Sequence, residues 1–133
     1  MTWKISFLAL GLLLLSGNAL AAPEPKTDYD AMYSNCMKGH NINNNILAIC
    51  SSTVSVEATK EINILYKKAY SYIATKSPKD GEQFKQTQQA WLTYRNGQCA
   101  LAGSYVGSPM YNYCPMLLNI ARVKELRELA NDR

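Results

Sequence analysis

Four cysteines, Cys36, Cys50, Cys99 and Cys114, placed behind an export-type leader, constrain this chain more than any other feature. Met1–Lys4 carries one positive charge, Ile5–Leu15 is apolar but too short to span a bilayer, and Ala19-Leu20-Ala21 is a small-x-small cleavage site. These parts in this order predict a secretory signal peptide over residues 1–21. The cut is placed after Ala21, because cutting after Ala22 would put Pro23 just past the scissile bond. No cysteine follows the site, so the expectation is a periplasmic chain, soluble and without a lipid anchor. An even cysteine count in an oxidising compartment then predicts two disulfides. Of the three possible pairings, Cys36–Cys50 with Cys99–Cys114 is favoured, although spacing leaves the connectivity open. It closes two short loops, each adding roughly 3 kcal/mol in the chain-entropy model.

The same residues bear on metal and charge. There is no CxxC pair, and the single histidine, His40, sits among asparagines, which argues against a zinc or thioredoxin-like site. No metal and no cofactor are expected. The formal net charge is +4 for the whole chain, one less once Lys4 leaves with the signal peptide. That charge is too small and too dispersed for nucleic-acid binding. Lys67-Lys68, the one adjacent basic pair, reads as a solvated helix face.

Periodicity predicts an all-α fold: a small disulfide-stapled helical bundle with three main helices and a short N-terminal one. Ala22–Asp28 is proline-rich and polar and reads as a flexible leader; residues 29–133 read as a single domain. Asp28 can cap a short helix over Tyr29–Lys38, with Tyr29, Met32, Tyr33 and Cys36 inward. Leu47, Cys50, Val54, Ala58, Ile62, Leu65, Ala69 and Tyr72 then recur every three or four residues and predict an amphipathic helix from about Asn44 to Thr75. The weak helix formers around Ser51–Val56 allow a bend there, with Ser55 capping a restart. Ser77–Gly81 is a turn by composition, with Asp80 capping a helix that runs to about Ala102. Gly103–Tyr113 reads as a loop, and Cys114-Pro115 as the start of a last helix buried through Met116, Ile120, Val123, Leu126 and Ala130. Helices joined by a short turn pack antiparallel, which gathers Cys50, Cys99, Cys114 and the tyrosine-rich loop at one pole.

The stretch Gln88–Cys99, QQAWLTYRNGQC, lies at the centre of this arrangement. Phe84, Gln88, Trp91, Arg95 and Gln98 share a helical stripe, with Leu101 or Ala102 beyond. Trp91 and Arg95 are four apart, so the guanidinium can lie over the indole. Two readings stay open: a core tryptophan with a snorkelling arginine, or an Arg95 that contacts a partner.

These residues resemble the LprI-like lysozyme inhibitors, small secreted bacterial domains. Gln88-Gln89-Ala90-Trp91-Leu92-Thr93-Tyr94-Arg95-Asn96-Gly97-Gln98-Cys99 is similar to a family pattern of Gln, Trp, an aromatic, Arg and Cys. Ile62-Asn63-Ile64-Leu65-Tyr66 resembles its Leu-Asn-x-x-Tyr, and Cys114 with Arg122 and Leu126 resembles its closing Cys, Arg and Leu. Cys50 stands where the family usually has a cysteine. Asn96 stands where Asp is usual, Gln98 where Glu is common and Asn119 where Thr is frequent, so the Arg–Asp pair implied by the pattern is weakened here. The resemblance spans Cys36–Leu129. It marks Trp91, Tyr94, Arg95, Asn63, Tyr66 and Arg122 as the core motif and implies inhibition of lysozyme-type peptidoglycan hydrolases.

No arrangement for catalysis is visible. GxSxG, HExxH and P-loop patterns are absent. Glu57 and Glu61 read as solvent-facing, and Glu125 and Glu128 as surface partners of Lys124 and Arg127. Bridged cysteines offer no nucleophile. The expectation is a non-enzymatic binding protein whose candidate contacts are Tyr105, Met110, Tyr111 and Tyr113, since tyrosine and methionine are enriched at interfaces. The expected partner is lysozyme or another peptidoglycan hydrolase. The alternative is an envelope interaction or immunity module for a different partner.

Overall fold

The computed structural model describes residues 26–131. The signal peptide expected over residues 1–21, and residues 22–25 of the leader, lie outside the described residues. Four helices account for nearly all of the rest: α1 (Tyr29–Met37), α2 (Asn44–Lys76), α3 (Pro78–Tyr105) and α4 (Met110–Asn131). There is no strand among the described residues. The expected all-α, disulfide-stapled bundle is therefore the observed fold.

Side-chain caps set the starts of α1, α2 and α3. The Asp28 carboxylate accepts from the Ala31 N–H at 2.9 Å, and Asn43 Oδ1 accepts from the Ile46 N–H at 3.0 Å. These bonds satisfy donors that a helix N-terminus otherwise leaves orphaned. The leader is less free at its end than its composition predicts. Asp28 caps α1, and the Thr27 carbonyl accepts from Arg127 Nη2 at 2.9 Å.

α2 runs 33 residues without interruption, about 50 Å at the α-helical rise. Ser55 does not restart it. Its carbonyl takes the Thr59 hydroxyl at 2.8 Å and its own hydroxyl faces Asn119, so the weak helix formers are held by tertiary contacts. The turn to α3 is a single residue rather than the expected five. Ser77 is extended, closes α2 and caps α3 through its hydroxyl, which accepts from the Asp80 N–H at 3.3 Å. Pro78 starts the helix because its missing N–H is one the first turn leaves unpaired anyway. The two helices then touch closely. A Cβ on Gly81 would stand 2.6 Å from the Ala74 Cβ.

The expected Gly103–Tyr113 loop shrinks to four residues. α3 continues to Tyr105 and α4 begins at Met110, so only Val106–Pro109 connects them. Gly107, at φ +155°, makes the reversal that a side chain would resist. Pro115, expected at a helix start, lies in the second turn of α4 and leaves the Tyr111 carbonyl without its helical donor.

α3 runs antiparallel to α2 and α4, and α2 lies parallel to α4. The Ser52–Asn112, Asn119–Ser55 and Arg127–Glu61 contacts follow one another along that α2–α4 pair. The core between them consists of Val54, Ala58, Ile62, Leu65 and Ala69 from α2, Phe84 from α3, and Met116, Ile120, Val123, Leu126 and Ala130 from α4, closed by Tyr29. These are the predicted stripes of α2 and α4. Each large apolar side chain so buried contributes about 1.5–3 kcal/mol. Tyr72 at the end of the α2 stripe is exposed.

Candidate functional site

Both disulfides lie at one end of the bundle. Cys36 is bonded to Cys50, tying α1 to α2, and Cys99 to Cys114, tying α3 to α4. No cysteine among the described residues is free. Cys99 and Cys114 are buried with Ala102, and Met110 and Leu118 pack on them. The second bridge thus holds together the two helix ends that flank the Val106–Pro109 turn. Gathering at one pole follows from antiparallel packing, and the bridges are the pairing favoured from the sequence, Cys36–Cys50 and Cys99–Cys114.

The four candidate contact residues at this pole divide into two kinds. Tyr105 is 84% exposed, with Val106 open beside it. Tyr111 is also exposed, but its ring lies against Gly103, where a Cβ would stand 2.3 Å from ring carbons, and its hydroxyl meets Ser104 Oγ at 3.1 Å. Met110 is half-buried against the disulfide, and Tyr113 packs on the core with its ring 5.8 Å from that of Tyr33. Composition could not separate these pairs, because exposure depends on which helix face each residue takes once the loop becomes helical.

Three core-motif residues, Trp91, Arg95 and Arg122, take part in a polar layer that runs across α2, α3 and α4 through Ser55, Thr59, Gln88 and Asn119. Trp91 is half-buried at the margin of the core, and two guanidiniums lie against it: Arg95 at 5.2 Å and Arg122 at 5.6 Å from the ring. Arg95 donates Nε and Nη2 to Asn96 Oδ1 at 3.1 and 2.9 Å, and Nη1 to Asn119 Oδ1 at 2.9 Å. Both bonds from Arg95 to residue 96 thus end on a neutral amide oxygen. Burial pulls the Arg95 pKa down from the ordinary arginine value. Asn119, fully buried, passes its own donors to Ser55 Oγ at 2.8 Å and Thr59 Oγ1 at 3.1 Å. Arg122 is 7% exposed and holds Gln88 Oε1 through Nε at 3.0 Å and Nη2 at 2.8 Å, with Nη1 on Glu125 at 2.6 Å. Tyr94 points away from this layer and is exposed.

Asn63, Tyr66, Gln88, Trp91 and Arg95 line one groove of about 320 Å³ between α2 and α3, with Lys85, Gln89 and Leu92 at its rim. Tyr66 stacks on Phe84 at 5.3 Å and on Tyr70 at 5.9 Å. Gln98, expected on the inner stripe, is exposed, and Cys99 takes the buried position instead.

A second polar cluster was not legible as such. Glu61 and Arg127, expected on solvated faces, pair at 2.7 Å, each mostly shielded. Tyr29 donates its hydroxyl to Glu61 Oε2 at 2.7 Å, and Arg127 lies over the Tyr29 ring at 5.8 Å. Burial raises the Glu61 pKa, but the hydrogen bonds from Arg127 and Tyr29 outweigh it and hold the carboxyl below its ordinary value. Burial and the same carboxylate push the Tyr29 phenol well above its usual range. Lys124 reaches Asp30 at 3.2 Å rather than a glutamate of its own helix. The spacing of Glu57 and Glu61 gave no sign that one faces solvent beside Lys60 and the other clamps three helices.

Among the described residues no group of His, Cys, Asp or Glu could hold a metal ion, and no helix is long and apolar enough to cross a membrane. Compared with known proteins, residues 36–126 match the family described as "Lysozyme inhibitor LprI". No curated protein and no solved structure matches the chain. The matched span takes in both disulfides, the Trp91–Arg95 stripe and Arg122. The chain therefore belongs to the LprI lysozyme inhibitor family.

Proposed function

We propose that this protein is a non-catalytic periplasmic binding protein that inhibits lysozyme-type peptidoglycan hydrolases by non-covalent contact. Family membership over residues 36–126 carries this reading. The disulfide-tied pole supplies a surface suited to it. Tyr105 and Val106 project at the end of α3, and the Cys99–Cys114 bridge restrains the helices on either side. Restraint before contact lowers the ordering cost of binding. The formal charge, +4 for the whole chain and one less without Lys4, offers no long-range attraction toward a basic lysozyme, so affinity rests on local apolar and aromatic contacts.

The test is a cell-wall turbidity assay in which the purified protein is titrated into lysozymes of several classes. Dose-dependent protection of the cell walls is expected, lost on reduction and weakened by Tyr105→Ser. Absence of protection at high molar excess across the classes would overturn the proposal.

A further inference from the structure

The groove between α2 and α3 has a chemistry of its own. Its walls carry two cations, Lys85 and Arg95, and no carboxylate. Lys85 is engaged by Glu82 at 3.5 Å. Arg95 is different: half-buried, held by two amide oxygens and the indole, it pairs with no carboxylate among the described residues. Its charge is oriented by these partners but not neutralised. Beside it, the Asn63 and Gln89 side chains are exposed and make no hydrogen bond within the described residues. Trp91, Leu92 and Tyr66 supply the apolar wall.

We propose that this groove binds a carboxylated sugar, with the carboxylate on Arg95, hydroxyls on Asn63 and Gln89, and the C–H face of the ring against Trp91 and Leu92. Asn96 occupies the Nε and Nη2 edge of Arg95 and Asn119 one N–H of Nη1, which leaves one N–H on each terminal nitrogen to donate charge-assisted hydrogen bonds to a carboxylate. A primary amide offers both donor and acceptor, which suits hydroxyl pairs. The volume of about 320 Å³ lies at the small end of ligand sites, the size of one or two sugar rings. An acidic protein side chain would satisfy Arg95 but leave most of that volume and both amides unused. The site lies on the α2–α3 face, apart from the pole that carries the inhibitor reading.

Two-dimensional nitrogen–proton spectra of the full chain test this, following the Trp91 indole N–H, identified by its loss in Trp91→Phe. Glucuronate and N-acetylmuramate should shift that resonance saturably, with glucose and acetate weaker by about tenfold or more. Arg95→Gln should weaken the acids by about tenfold. Because Arg95 also anchors Asn119, the exposed Gln89→Ala serves as second variant and should weaken binding with an unchanged unfolding midpoint. Tyr105→Ser should leave sugar binding intact, so this site and the inhibitor reading fail separately. No saturable shift with either acid, or equal binding of acetate or glucose, would overturn the proposal.

Discussion

The Arg122–Gln88 pair offers the sharpest test of how the helices are locked together. Arg122→Met keeps the aliphatic stem under Trp91 but removes both donors to Gln88 Oε1. A buried acceptor left without a partner costs about 1–3 kcal/mol. The lost ion pair with Glu125 adds no more than about 0.5 kcal/mol, since that carboxylate is mostly in water. The expected loss is therefore about 2 kcal/mol, or roughly 10 °C in melting temperature for a domain of this size. Gln88→Leu should cost a similar amount, about 1–3 kcal/mol, because two donors of a guanidinium that is 7% exposed lose their acceptor while its pair with Glu125 remains. The double variant removes both polar partners and should cost about 1 kcal/mol or less, well below the sum of the two single changes. Urea unfolding of the oxidised protein, followed by far-ultraviolet circular dichroism, measures all four corners of this cycle. If the double variant costs the sum of the singles within about 0.5 kcal/mol, the two side chains are uncoupled and the account of this layer is wrong.

Four further outcomes follow from the same geometry. Trp91→Ala should cost about 2 kcal/mol, less than the 3–5 typical of a fully buried indole, because Trp91 sits half-buried beside two guanidiniums; thermal unfolding reads the difference, and a fully buried value would contradict this placement. Gly97→Ala meets open space in mid-helix and should stabilise by about 1 kcal/mol, whereas Gly81→Ala should destabilise, its Cβ falling 2.6 Å from that of Ala74. Ser51→Ala should raise stability by about 1 kcal/mol, because the Ser51 hydroxyl is buried without a partner. Glu61 has a lowered folded-state pKa, so its contribution is present above its ordinary value of 4.5 and is lost as pH falls through the folded value. Tyr29, shifted upward, contributes below its ordinary value of 10.0 and loses that contribution as pH rises further. Melting temperature should thus fall at both extremes, and Glu61→Gln should flatten the acid limb; an unchanged acid limb would remove Glu61 from the clamp.

By itself the sequence determined the helical class, the short capped first helix and the inward stripes of α2 and α4. Periodic apolar residues have one way to leave water together, and Asp28 names a helix start locally. It also supplied the motif from Gln88 to Cys99 by which the family resemblance was made. Tertiary structure alone decided the rest. Pro78 and Ser77 shorten a turn because two helices close onto Gly81. Gly103–Tyr113 becomes mostly helix because Tyr111 finds a seat on Gly103. Glu61 and Arg127 leave the solvent because α1 and α4 arrive on either side of them, and Trp91 stays at the margin because Arg122 and Gln88 occupy the space behind it. Periodicity reports which face of a helix is apolar. Which polar side chain meets which depends on neighbours far along the chain, and that information exists only once the helices have packed.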